Sequence, residues 1–300
     1  MLTKKSIEGR DQLDYYWFLL PGLILFMLLI ILPLIINIGI SFTEWSGVRT
    51  PKFIGFANYI NAFKDKAMHI SLYNNLLLVV AMTIIPMIIG IFLAVLLFDF
   101  VAKRINNTVA NFFRAGFYLP QIITIVASAI AWKWIYQPNW GAINWTLQKL
   151  GLSSINWLGD PRTAMPSIMI MMIWFQIGYP LVIFMAALQR IDPQLYEAAS
   201  IDGADWWKTL FSVTIPQITA EIYVVFITTL IHALKVFGPV YAMTYGGPGQ
   251  STYVVGYFAY KNFFEKAEVG YGATISILLS TIVVIITLIS VRIQSKMNNT

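Results

Sequence analysis

The segment Tyr196-Glu197-Ala198-Ala199-Ser200-Ile201-Asp202-Gly203-Ala204 lies between two runs apolar enough to cross a bilayer, and it reads as a short helix closed by a turn. Asp192 followed by Pro193 starts that helix, because the carboxylate accepts orphan backbone N–H groups and proline tolerates the first helical position. Gly203 sits where a left-handed residue ends it. Between them Leu195, Ala198, Ala199 and Ile201 supply apolar surface and Glu197 and Ser200 polar surface. Two to three turns are marginal in isolation, so something outside must hold them. Asp205 then reads as the cap of a second short helix carrying Trp206, Trp207, Leu210 and Phe211, with Pro216 opening the next apolar run. A short helix with small residues on one side is a knob shaped for another protein's groove.

The flanking runs belong to a chain built for lipid. Of 300 residues, 58% are hydrophobic and 11% charged, against about 25% charged in globular domains, and the mean hydropathy is +0.70. The expected fold is all-α and integral to the membrane, with six spans at 17–40, 72–98, 110–135, 164–188, 216–236 and 273–291. Each is close to or longer than the roughly 20 residues that cross a hydrocarbon core. The first is too long for a signal-peptide core of about 7 to 15 residues, and no small-residue cleavage site follows, so it is expected to remain. The resulting organisation is an N-terminal segment 1–16, one transmembrane domain 17–291 containing the loop 190–215 between the fourth and fifth spans, and a tail 292–300.

Six spans place both termini on one side, with Lys4, Lys5, Arg10, Lys103, Arg104, Arg114, Arg190, Lys208, Arg292 and Lys296. The other side holds as many basic residues in longer segments. The greater density favours cytoplasmic termini.

Several functions are disfavoured. The net charge of +6 is scattered over loops, without the cluster that nucleic acid requires. The chain has no cysteine, and its two histidines, His69 and His232, are too far apart in sequence for a convincing metal site. No phosphate-binding G-x-x-x-x-G-K-[ST] occurs; Gly246-Gly247-Pro248-Gly249-Gln250-Ser251 has the glycines without the lysine. An ion-coupled carrier would need ionisable groups deep in its spans, whereas Glu221 and His232, inside the fifth span, each lie toward an end of it. Energy is therefore expected from a partner, and no cofactor or metal is expected in this chain.

Three spans carry polar residues at helical spacing. In the third, Gln121, Thr124, Ser128 and Trp132 form one stripe; in the fourth, Gln176 and Tyr179 share a face that Trp174 opposes; in the fifth, Glu221, Thr228, His232 and Lys235 align. Such groups can glue helices together. Three aligned stripes point instead to a polar interior, making Gln121, Thr124, Ser128, Gln176, Tyr179, Thr228 and His232 candidates for a substrate path. Trp132, Trp134, Tyr136, Trp140, Trp145 and Trp157 near the outer side read as an interfacial aromatic belt.

The loop at Glu197-Ala198-Ala199, with Gly203 and then Val213-Thr214-Ile215-Pro216, resembles the EAA motif of permease subunits of bacterial ATP-binding-cassette (ABC) importers. Three more stretches are similar to the carbohydrate branch of that family: Phe53-Ile54-Gly55-Phe56-Ala57-Asn58-Tyr59, then Trp132-Lys133-Trp134-Ile135-Tyr136 with Gly141 and Asn144, and Gly246-Gly247-Pro248-Gly249 before Ser251-Thr252. Leu20-Pro21 and Ser41-Phe42-Thr43-Glu44-Trp45 resemble the opening of the first of the two paralogous permeases of such systems.

The resemblance implies a multi-pass protein of the bacterial cytoplasmic membrane, embedded in lipid, with Glu197 in the cytoplasm. It implies a second homologous permease, a cytoplasmic ATPase dimer that binds ATP and magnesium, and an extracellular or periplasmic sugar-binding protein. Tyr196, Glu197, Ala198, Ala199, Asp202, Gly203 and Ala204 would then form the contact with the ATPase. A permease of the same fold for glycerol phosphate or a polyamine, or a transporter working without partners, are the alternatives.

Overall fold

The computed structural model describes residues 17–48, 50–102 and 106–297. The segment 1–16 with Lys4, Lys5 and Arg10, and the loop residues Lys103 and Arg104, lie outside the described residues, as does the end of the tail. Helices run in the order α1 (Trp17–Ser41), α2 (Ala57–Lys64), α3 (Lys66–Asp99), α4 (Asn107–Ile122), α5 (Ile125–Ile135), α6 (Ala142–Lys149), α7 (Ala164–Leu188), α8 (Pro193–Ile201), α9 (Trp206–Gln217), α10 (Thr219–Leu234), α11 (Gly238–Thr244), α12 (Val255–Tyr260) and α13 (Val269–Met297). Two short strands, β1 (Thr43–Glu44) and β2 (Lys52–Phe53), pair antiparallel with Thr43 opposite Phe53. Four helices are long and apolar enough to span a membrane, and the number rises to six if two bent pairs each count as one span.

Internal contacts divide the chain into two units, one running to Lys64 and resuming over Ala259–Leu278, the other comprising Asp65–Phe258 and the residues from Leu279 onward. In the first, carbonyls at and just beyond the end of α1 find side-chain donors: Asn58 donates to the Ser41 and Thr43 oxygens at 3.0 and 2.9 Å, and Thr274 donates to Ser41 at 2.9 Å. A helix end buried without such partners would be costly.

The second unit has its core where the C-terminal halves of α3 and α7 pack together. Ala94, Val95, Leu181, Phe184, Met185 and Leu188 are buried there, joined by Leu210, Ile218 and Val225. Close approach of α4 to α7 depends on Gly178, where an added Cβ would lie 2.3 Å from the Phe117 carbonyl oxygen.

Buried amides fix the other end of this unit. Asn74 donates to the Ser251 and Tyr253 oxygens at 2.9 and 2.8 Å. Asn75 donates to the Ala233 and Leu234 carbonyls at 3.3 and 3.1 Å and accepts from the Val255 N–H at 2.8 Å. The end of α10 is thereby satisfied inside the protein, as an apolar surround requires.

Two expected spans are not straight helices. The third breaks between α4 and α5 with a bend of 98°. Ile123 leaves the helical region (φ −80°, ψ 144°) and Thr124 turns from helix interior to N-cap, its Oγ accepting from the Ala127 N–H at 3.4 Å. The fifth bends by 71° at Ile218, so that Pro216 lies within α9 rather than opening the span. Thr219 donates to the Ile215 and Pro216 oxygens at 3.1 and 3.0 Å, taking up carbonyls that the break frees.

Candidate functional site

Helix α8 has the predicted start and stop. Asp192 caps it by accepting from the Gln194 N–H at 2.9 Å, and Pro193 occupies its first position. At the other end Gly203 has φ +69°, the Gly203 N–H donates to Ser200 O at 3.1 Å, and the Ala204 N–H donates to Ala199 O at 3.0 Å. These two bonds are the paired 5→2 and 6→1 contacts of a left-handed helix stop. Asp205 caps α9 through the Lys208 N–H at 2.7 Å.

No residue of α8 is buried. Glu197, Ala198 and Asp202 are exposed, Ala199, Ala204 and Tyr196 half-buried, and Ile201 is 86% exposed. Glu197 makes no ion pair among the described residues. Tyr196 is the anchor, its hydroxyl 3.3 Å from Thr214 Oγ1. Burial pushes its phenol above the ordinary value, the Thr214 hydrogen bond opposes this, and the Asp99 charge adds to it. Leu195, Ala198, Ala199, Lys208 and Val213 line a shallow groove between α8 and α9. Arg190 and Glu221, at the two ends of this region, form an ion pair. The element is a preformed, solvent-facing knob with small residues along it and an unmatched carboxylate.

A second feature lies within the same unit. A cavity of about 400 Å3 is lined by Gln121, Gln176, Tyr179, His232 and Lys235 together with Met82, Ile125 and Phe237. Gln121 donates to the Phe175 carbonyl at 3.0 Å and lies 3.5 Å from Gln176 Oε1. Four of the seven proposed path residues, Gln121, Gln176, Tyr179 and His232, thus come together. The other three do not line it. Thr124 is spent on the α5 cap, Ser128 is buried in α5, and Thr228 is half-buried on α10. The third stripe is therefore not one helical face, because the bend after Gln121 reorients everything that follows.

Trp174 behaves as its opposite placement predicts, packing on Trp132 with ring centroids 5.6 Å apart and lining a different groove with Phe112, Phe117 and Pro120. Glu221 is taken by Arg190 and does not line the cavity. Sequence reasoning missed Asn75, which positions the cavity's α10 end, and its neighbour Asn74, which holds the Ser251–Tyr253 segment. Their signal was available, since adjacent amides inside an apolar run must find partners.

Comparison with known proteins places this architecture. Residues 100–299 match the family described as binding-protein-dependent transport system inner membrane component. The chain is 35% identical to the probable ABC transporter permease protein YurN of Bacillus subtilis, over 96% of this chain and 97% of that one. It is 30% identical to the trehalose/maltose transport system permease protein MalF of Thermococcus litoralis, over 97% of each. Its fold superposes with a TM-score of 0.81 and 25% identity, over 99% of this chain and 98% of the other, on a chain of a bacterial alginate ABC transporter solved in complex with an alginate pentasaccharide-bound periplasmic protein. The chain belongs to the binding-protein-dependent transport system inner membrane component family.

Proposed function

We propose that this chain is the membrane-spanning subunit of an ABC importer that carries a sugar or oligosaccharide across the cytoplasmic membrane. The observation that carries this reading is the full-length similarity to sugar permeases of the family, joined to an exposed, capped helix α8 whose charge faces outward. In this reading the chain crosses the membrane six times, each bent pair serving as one span, with both termini cytoplasmic. It pairs with a second homologous permease and receives an external sugar-binding protein. A cytoplasmic ATPase dimer holds ATP and magnesium, and α8 with Tyr196, Glu197 and the Gly203 turn docks into it. Closure of the ATPases moves α8 as a rigid body, which biases the permease pair between inward- and outward-facing states. Gln121, Gln176, Tyr179 and His232 line the sugar path. This chain does no covalent chemistry.

Purification and reconstitution test the proposal together. Co-elution with an ATPase, and uptake that needs ATP and the binding protein, are the expected results. Uptake by this chain alone in liposomes would overturn it.

A further inference from the structure

We infer that the cavity beside Gln176 takes a saccharide carrying an anionic group, recognised by Lys235 and Gln176; the inference rests on reading this cavity as part of the sugar path. The polar groups that the cavity leaves uncommitted include a cation, Lys235, and an amide donor, Gln176. Lys235 lines it, exposed, and forms no ion pair or side-chain hydrogen bond with any described residue. It is not needed to neutralise the end of α10, because Asn75 already donates to the Ala233 and Leu234 carbonyls at 3.3 and 3.1 Å.

Gln176 is 5% exposed, its Oε1 lies 3.5 Å from Gln121 Nε2, and its amide nitrogen donates to no described residue. His232, three positions before Lys235, adds a ring that can donate. Among the described residues, no aspartate or glutamate lines the cavity.

A neutral hydroxyl offers donor and acceptor together and gains little from a fixed cation, whereas a carboxylate or phosphate ester offers acceptors only. An anionic cargo would supply Lys235 with a counter-charge during passage. Charge-assisted hydrogen bonds from the ammonium and the amide would then hold the anion.

The test uses the purified complex of this chain with its second permease and ATPase, without the binding protein, so that the permease's own preference is read. Equilibrium binding is measured for two matched pairs: trigalacturonate against its methyl ester, and maltose 6′-phosphate against maltose. At least one charged member should bind about tenfold or more tighter than its neutral partner, the range that a charge-assisted hydrogen bond accounts for. Lys235→Gln should abolish that ratio and Lys235→Arg should keep most of it; which pair responds tells carboxylate from phosphate. Equal or tighter binding of both neutral members, binding of none of the four, or an unchanged ratio in Lys235→Gln overturns the inference. Dissociation of the permease pair by Lys235→Gln with the ratio preserved assigns the charge to a subunit contact and overturns it equally. ATP-driven uptake of a neutral sugar by the full reconstituted transporter would leave the import reading standing while this inference failed.

Discussion

Gly203→Val isolates the backbone contribution of the α8 turn. Gly203 has φ +69°, and a Cβ built there meets no atom within 4 Å. The substitution therefore causes no clash, and its cost is the strain of a left-handed residue bearing a Cβ, about 1 to 2 kcal/mol. That lowers the ratio of the native turn to its competitors by about 5- to 30-fold. The native turn carries the Ser200 and Ala199 carbonyl bonds, so its loss frays the C-terminal end of the helix next to Glu197.

The chain should insert and accumulate normally, since neither core nor cavity is touched, while ATPase retained per permease and hydrolysis stimulated by loaded binding protein both fall. Gly203→Asn should lie between wild type and valine, because asparagine tolerates positive φ better than other residues with a Cβ. Wild-type retention and stimulation in Gly203→Val would refute the reasoning.

Glu197→Lys should sever ATP-driven uptake with normal insertion, because Glu197 has no ion-pair partner among the described residues and its reversal at a buried charged contact costs about 2 to 5 kcal/mol; Glu197→Gln matching wild type, with lysine only mildly worse, would return it to a local helix role. Gln176→Ala and Tyr179→Ala should lower uptake without altering co-elution, whereas Trp174→Leu, on the opposite face, should change it less; unchanged uptake in both cavity variants removes those residues from the path. Asn75→Leu leaves the Val255 N–H and the α10 carbonyls without their partner, a loss of about 2 to 4 kcal/mol that thermal unfolding in detergent should register.

Apolar length told where helices lie, and local capping chemistry told where α8 begins and ends. The fourth span coincides with α7, and the predicted Asp192 and Gly203 signals are both present in the structure. Hydropathy averaged over a window cannot register one residue leaving the helix, and this hid the bends at Ile123 and Ile218. Thr124 and Thr219 carried the local signal, since each side chain bonds backbone near a break and so makes it affordable in an apolar surround. The stripe through Thr124 and Ser128 failed for that reason, whereas Gln176 and Tyr179, flanking a continuous stretch of α7, reached the same cavity. Convergence of Gln121 and His232 on that cavity is a tertiary fact that no single-helix periodicity contains.

The absence of cysteine from the chain permits a direct test of α8 as the energy-coupling element. A single cysteine at Ile201, 86% exposed on the last turn, can carry a cysteine-to-lysine cross-linker in the assembled transporter without background labelling of this subunit. The account predicts one cross-linked product joining this chain to the ATPase, with a yield that changes between nucleotide-free and ATP-bound states. A product with the ATPase from a cysteine on the α5–α6 loop but none from Ile201, in every nucleotide state, would contradict it.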